Sequence, residues 1–175
     1  GRAMPLEYFD SIPDEISAQV FRDLLFQYVD SFSVSPQDSM ALAKLLSQSS
    51  TTYDYPMLWN ERVFKALIFF SRGKKGPVGK WLVRSTAYLP FIQKLFADSG
   101  MPVDLSYLPL IESGFSTLAY SHAHASGMWQ FIPSTGALYG LRRSFWVDER
   151  QDPVKSTIAA IRYLKRLYAE FGDWH

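Results

Sequence analysis

The chain has 175 residues, of which 47% are hydrophobic and 16% aromatic, with no cysteine and a formal net charge of +1. That length suits an ordinary domain that buries its own core without covalent staples. The near-neutral balance excludes the long-range field that would draw nucleic acid, the lack of thiols excludes disulfide and thiol chemistry, and no apolar run approaches the roughly 20 residues that span a bilayer.

The opening Gly1-Arg2-Ala3-Met4 reads as an expression remnant, and the stretch ahead of about Pro13 has no period. From Asp14 onward, Val20, Phe21, Leu24, Leu25, Tyr28, Val29 and Phe32 recur at helical spacing and predict a core helix. Ser35 before Pro36 predicts the start of a second helix, with Met40, Leu42, Leu45 and Leu46 as its apolar positions. Ser47 to Tyr55 reads as a connection, and Asn60-Glu61-Arg62 leads into a third apolar face of Val63, Phe64, Leu67, Ile68 and Phe70 that Gly73 to Gly79 should break. A further helix carries Tyr88, Ile92, Leu95 and Phe96 and ends at Ser99-Gly100. The next is expected to begin at Pro102, to run through Leu105, Leu108, Leu110 and Ile111, to kink at Pro109 and to stop at Gly114. Residues 116 to 126 are loop-like, a short helix carries Leu138 and Tyr139, and Asp152-Pro153 starts a last helix. Its predicted core face is Ile158, Ile161, Leu164, Tyr168 and Phe171, with Lys155, Arg162, Lys165 and Arg166 on the wet side. No strand signal and no internal repeat occur, so the expected fold class is all-α.

Glu112 stands at the inner end of an apolar helix, where a carboxyl group is expensive to ionise and suited to donating a proton. The competing reading is a helix-end carboxylate that points into water. Gln130 tips the balance, because it is an isolated amide in the apolar run Gly127-Met128-Trp129-Gln130-Phe131-Ile132, and a buried amide needs a partner on the backbone or on something bound. Near Glu112 no second acid stands out, since Asp148, Glu149 and Asp152 read as helix-capping and surface-pairing residues. His122 and His124 lack a third ligand nearby, so the sequence implies no metal and no cofactor.

The block from Leu105 to Trp174 resembles the catalytic domain of lytic transglycosylases of the soluble-lytic-transglycosylase, goose-type-lysozyme-like family. The resemblance rests on Glu112-Ser113-Gly114-Phe115, Ala125-Ser126-Gly127-Met128-Trp129-Gln130-Phe131-Ile132-Pro133-Ser134-Thr135-Gly136, Tyr139-Gly140-Leu141 and Asp148-Glu149-Arg150-Gln151-Asp152-Pro153. Its spacing is specific: a Glu-Ser pair, Ser121 nine residues after the Glu, and Gln130 eighteen after it. Within that family the sequence is most similar to the membrane-bound lytic murein transglycosylase D subgroup, and residues 55–63 and 81–85 also resemble what precedes the catalytic domain there.

The resemblance implies an all-α, lysozyme-like catalytic domain over 87–175, incomplete at its C-terminal end, behind an N-terminal helical region over 1–86. Family members continue past Gly172-Asp173-Trp174 into an Ala-Tyr-Asn-x-Gly segment that this chain does not reach. It also implies the chemistry. The equivalent of Glu112 protonates the bond between N-acetylmuramic acid and N-acetylglucosamine, then takes the proton of the muramoyl 6-hydroxyl as that oxygen closes on C1 to leave a 1,6-anhydro end. Ser121 and Gln130 match the family's cleft residues, and Ser113, Met128, Phe131 and Tyr120 are further candidates for substrate contact. The implied partner is the glycan strand of peptidoglycan in the bacterial periplasm or cell envelope, with membrane association only through a segment absent here. Two other readings stay open, a murein-binding or scaffold module that keeps the groove without turnover, and a hydrolytic lysozyme in which water reaches C1.

Overall fold

A computed structural model of the protein describes residues 20, 23, 34–48, 52–54, 58–72 and 75–175. The chain divides into two compact units, Gly1–Gly79 and Lys80–His175. The helix expected from Asp14 to Phe32 lies outside the described residues except for Val20 and Asp23, and both of these are helical.

In the first unit, helix α1 spans Pro36–Gln48. Its proline occupies the first helical position, where the missing N–H costs nothing, and the Ser35 carbonyl accepts from the Ser39 N–H at 3.0 Å. Met40 is 73% exposed and so does not belong to the apolar face assigned to it from spacing. Helix α2 spans Glu61–Arg72. The Asn60 side-chain oxygen accepts from the Val63 N–H at 3.0 Å, which satisfies one of the orphan donors of the first turn.

Helix α3 runs over Lys75–Asp98 and begins earlier than expected. The break after α2 is therefore short, because Gly76 and Pro77 fall in the first turn of α3, where proline is tolerated. In the second unit Trp81, Ile92 and Phe96 on α3 are buried, and the helix stops at the Ser99-Gly100 turn as anticipated.

The stretch expected as one kinked helix from Pro102 is instead two pieces, a 3-10 helix over Val103–Tyr107 and a short α-helix, α4, over Leu108–Ser113. Pro109 favours the split, although Pro90 is carried inside the continuous α3. A continuous α-helix would press the Pro109 ring against the carbonyl four residues back, so the chain winds tightly to Tyr107 and restarts with Pro109 in the first turn of α4. Helix α5 spans Pro133–Leu138, and helix α6 spans Pro153–Phe171 behind the Asp152 cap, whose carboxylate accepts from the Val154 and Lys155 N–H groups at 2.9 Å each.

The wet side of α6 is as predicted, with Lys155, Arg162, Lys165 and Arg166 exposed, but the core face is only partly so. Ile161 is buried and Leu164 half-buried as expected, joined by Ser156, Thr157, Ala159 and Ala160, while Ile158, Tyr168 and Phe171 are exposed. Small side chains let the helix approach closely, and the core there is Phe131, Leu141, Ala159 and Ala160, with Trp129, Tyr139 and Tyr163 packed on it. Phe115 is fully buried, which is worth roughly 1.5–3 kcal/mol relative to leaving it in water. Among the described residues the fold is all-α, with only isolated bridges at Tyr120–Ser126, Ser126–Phe131 and Arg143–Asp148.

Candidate active site

Helix α4 carries Glu112 and ends one residue later. Gly114 takes φ 59°, a left-handed conformation natural to glycine, and donates to the Leu110 carbonyl at 3.1 Å. A Cβ at this position would overlap the buried indole of Trp81. The Gly114 carbonyl accepts from Arg84 Nη1 at 2.8 Å, so α3 fixes the end of the helix that carries Glu112.

Glu112 is half-buried and borders a cleft of about 310 Å³. The other lining residues are Leu108, Trp129, Gln130, Phe131, Ile132, Thr135, Ala160, Tyr163 and Leu164. The wall is apolar with a few polar groups converging on it, the usual make-up of a small-ligand site. Glu112 is the only carboxylate among the described residues that line it. A larger concavity, about 700 Å³, lies on the other side of α5 and contains Pro133, Ala137, Arg142, Arg143 and Glu149 but not Glu112.

The loop opposite Glu112 is held in a shape that local sequence does not favour. His124 and Gln130 have φ of 60° and 49°, left-handed values uncommon in residues other than glycine. Gln130 Nε2 donates to the Gly127 carbonyl at 2.8 Å and to the Ala119 carbonyl at 3.4 Å, so the isolated amide has backbone partners and lines the cleft as well. Gly127, at φ 81°, packs so closely on the Arg150 carbonyl that a Cβ would collide with backbone.

The candidate contact residues divide into those at the cleft and those behind it. Glu112, Gln130 and Phe131 meet at the cleft. Ser113 is buried, and its hydroxyl donates to the Met128 carbonyl at 2.9 Å while accepting from the Ser116 N–H at 3.1 Å, tying α4 to the loop. Met128 is 1% exposed and belongs to the packing beneath that loop. Ser121 is also buried, and its hydroxyl accepts from the Ala125 N–H at 3.1 Å. Tyr120 is exposed, outside the cleft lining, with its hydroxyl 2.8 Å from His124 Nδ1.

Two residues emerge that sequence reasoning passed over. Trp129 lines the cleft, stacks on Phe96 at 5.8 Å and donates its indole N–H to Thr157 Oγ1 at 3.0 Å. Arg150 is 1% exposed, and its guanidinium donates to Asp148 (2.9 and 2.6 Å), the His124 carbonyl (2.7 Å) and the Phe131 carbonyl (2.9 Å). Of Asp148, Glu149 and Asp152, read as helix-capping and surface-pairing residues, Asp148 and Asp152 do cap helices, but the pairing carboxylates of Asp148 and Glu149 are half-buried and buried, not on the surface. Arg150 holds the Asp148 carboxyl below its ordinary range by direct hydrogen bonding. Glu149 is also buried, and hydrogen bonds from Lys155 and then from the Arg142 backbone and side chain bring its carboxyl down to about 2.

The transglycosylase SLT domain pattern matches residues 90–175. Residues 90–175 are a transglycosylase SLT domain. Over 93 residues, 53% of this chain, it is 43% identical to the membrane-bound lytic murein transglycosylase D of Escherichia coli K12 and of E. coli O6:H1. It is 41% identical over the same length to an Alteromonas sp. (strain M-1) protein named for tributyltin chloride resistance. The matched stretch covers 45% of the Alteromonas protein and 21% of each E. coli protein. Cleft, Glu112 helix and Gln130 loop all fall inside the SLT domain.

Proposed function

We propose that this SLT domain is the acid-carrying part of a peptidoglycan lytic transglycosylase. It would cleave the β-1,4 bond between N-acetylmuramic acid and N-acetylglucosamine and leave 1,6-anhydromuramoyl ends. The observation that carries the proposal is the single carboxylate among the described residues at the cleft. Glycosidases that use water or a covalent intermediate deploy two carboxyl groups across the scissile bond. One group suffices when the substrate brings its own nucleophile. Glu112 gives its proton to the leaving oxygen and is thereby ionised, ready to take the proton of the muramoyl 6-hydroxyl, which is already tethered near C1. Gln130, Trp129 and Phe131 are assigned to the sugar-facing wall, and Ser113, Ser121 and Met128 to positioning that wall through backbone bonds and packing.

The E. coli relatives are named for murein, which supports glycan strands as the substrate and the cell envelope, specifically the periplasm, as the place of action. We take residues 87–175 as the transglycosylase part and 1–86 as a helical region ahead of it, a division supported by a family match that begins at residue 90. The test is product analysis of digested murein. The whole enzyme should yield anhydro ends, and its Glu112→Gln variant should yield none. Anhydro ends from the variant would remove Glu112 from the mechanism, and reducing ends from the unaltered enzyme would make it a hydrolase.

A further inference from the structure

Residues Arg142 to Glu149 form a hairpin on the side of α5 away from the cleft. Ile132 and Thr135 face the cleft, while Pro133 and Ala137 face the concavity that the hairpin shares through Arg142, Arg143, Ser144 and Val147. The stem is well tied: Arg143 bridges Asp148, the Glu149 N–H donates to the Arg142 carbonyl at 2.9 Å, and the Arg142 N–H donates to the Glu149 carboxylate at 2.8 Å. At its end the Ser144 N–H donates to the Val147 carbonyl at 2.7 Å, and the Ser144 hydroxyl accepts from the Trp146 and Val147 N–H groups at 3.2 and 3.1 Å.

The two residues at the tip are Phe145 and Trp146, positions where a tight turn favours small polar residues or glycine. They are 90% and 87% exposed. Their rings meet edge to face, 4.8 Å apart at 87°.

The charge on the stem is sorted by direction. The side chains of Asp148 and Glu149 are 19% and 6% exposed, whereas those of Arg142 and Arg143 are 86% and 54% exposed. What the hairpin offers to its surroundings is therefore two aromatic rings backed by guanidinium groups, which reach back to Glu149 at 3.2 Å (Arg142) and Asp148 at 3.9 Å (Arg143) while staying largely exposed. That combination matches the interface of a bilayer, where aromatic rings lodge at headgroup depth and cations meet lipid phosphates.

We infer that the Phe145-Trp146 tip inserts into the interfacial layer of an anionic membrane, with Arg142 and Arg143 pairing its phosphates, as a contact that needs no spanning helix and leaves the cleft open. The test is cosedimentation of the full chain with vesicles of phosphatidylglycerol and phosphatidylethanolamine, beside vesicles of phosphatidylcholine alone. Binding should favour the anionic vesicles, weaken as salt is raised, and fall at least about tenfold in a Phe145→Ser, Trp146→Ser double variant of unchanged melting temperature. Equal binding by variant and unaltered protein, or no binding to either vesicle, overturns the inference. So does a variant that loses affinity for purified murein while the unaltered protein ignores lipid, which would give the tip to glycan.

Discussion

Replacing Arg150 by methionine keeps most of the side-chain stem but deletes its four side-chain hydrogen bonds to Asp148, His124 and Phe131. The Phe131 carbonyl retains the Ser126 N–H at 3.0 Å, so its loss is partial, whereas the Asp148 carboxylate is left with the Arg143 guanidinium at 3.9 Å. Breaking a buried ion pair by removing one partner costs about 3–5 kcal/mol, and the 19% exposure of Asp148 argues for the lower end, about 3 kcal/mol. The pH dependence has a definite sign. Because Arg150 lowers the Asp148 carboxyl below its ordinary 3.8, the pair's contribution is fully present above that value and is lost as pH falls through the lowered folded-state value. Urea unfolding should therefore show a large gap between the two proteins at neutral pH and a narrowing one in acid, with Arg150→Lys in between because it keeps charge but not the planar fork. A neutral-pH gap under about 1 kcal/mol would refute the assignment of Arg150 as the tie that holds this loop.

Gly114→Ala should destabilise the domain by at least about 1–2 kcal/mol, because it combines a left-handed backbone with overlap on the Trp81 ring, and thermal unfolding would read the loss. Lys155→Met removes the largest influence that lowers the Glu149 carboxyl, so a carbon-13 titration should find that carboxyl above its value of about 2 in the unaltered protein. In the unaltered protein the stabilisation linked to Glu149 is complete above 4.5 and disappears as pH falls through about 2; the variant should lose its share at higher pH.

Much of this was legible in the chain. The glycine stop after Glu112 and the Asp152-Pro153 start of α6 are local signals, satisfied by atoms a few residues away. The split at Pro109 follows from the same local chemistry, but periodicity alone reads through it, since Leu105, Leu108 and Ile111 keep a helical beat across two kinds of helix. On α6 hydrophobicity finds Ile161 but also points to Ile158 and Phe171, which are exposed, and misses the small residues Ser156, Ala159 and Ala160 that close packing selects. Arg150 was illegible for a different reason. Three charged residues in a row read as wet, and what buries this one is the carbonyl groups of His124 and Phe131, 26 and 19 residues back along the chain.

Phe115, His124 and Gln130 hold positive φ angles with ordinary side chains. A peptide copied from this stretch would not fold to the native contour, since every one of those residues would relax to a commoner backbone state once its distant ties were cut. Anyone transplanting the Gln130 loop onto another scaffold must therefore carry its guanidinium anchor and the Ser113 latch along with it, or graft only letters.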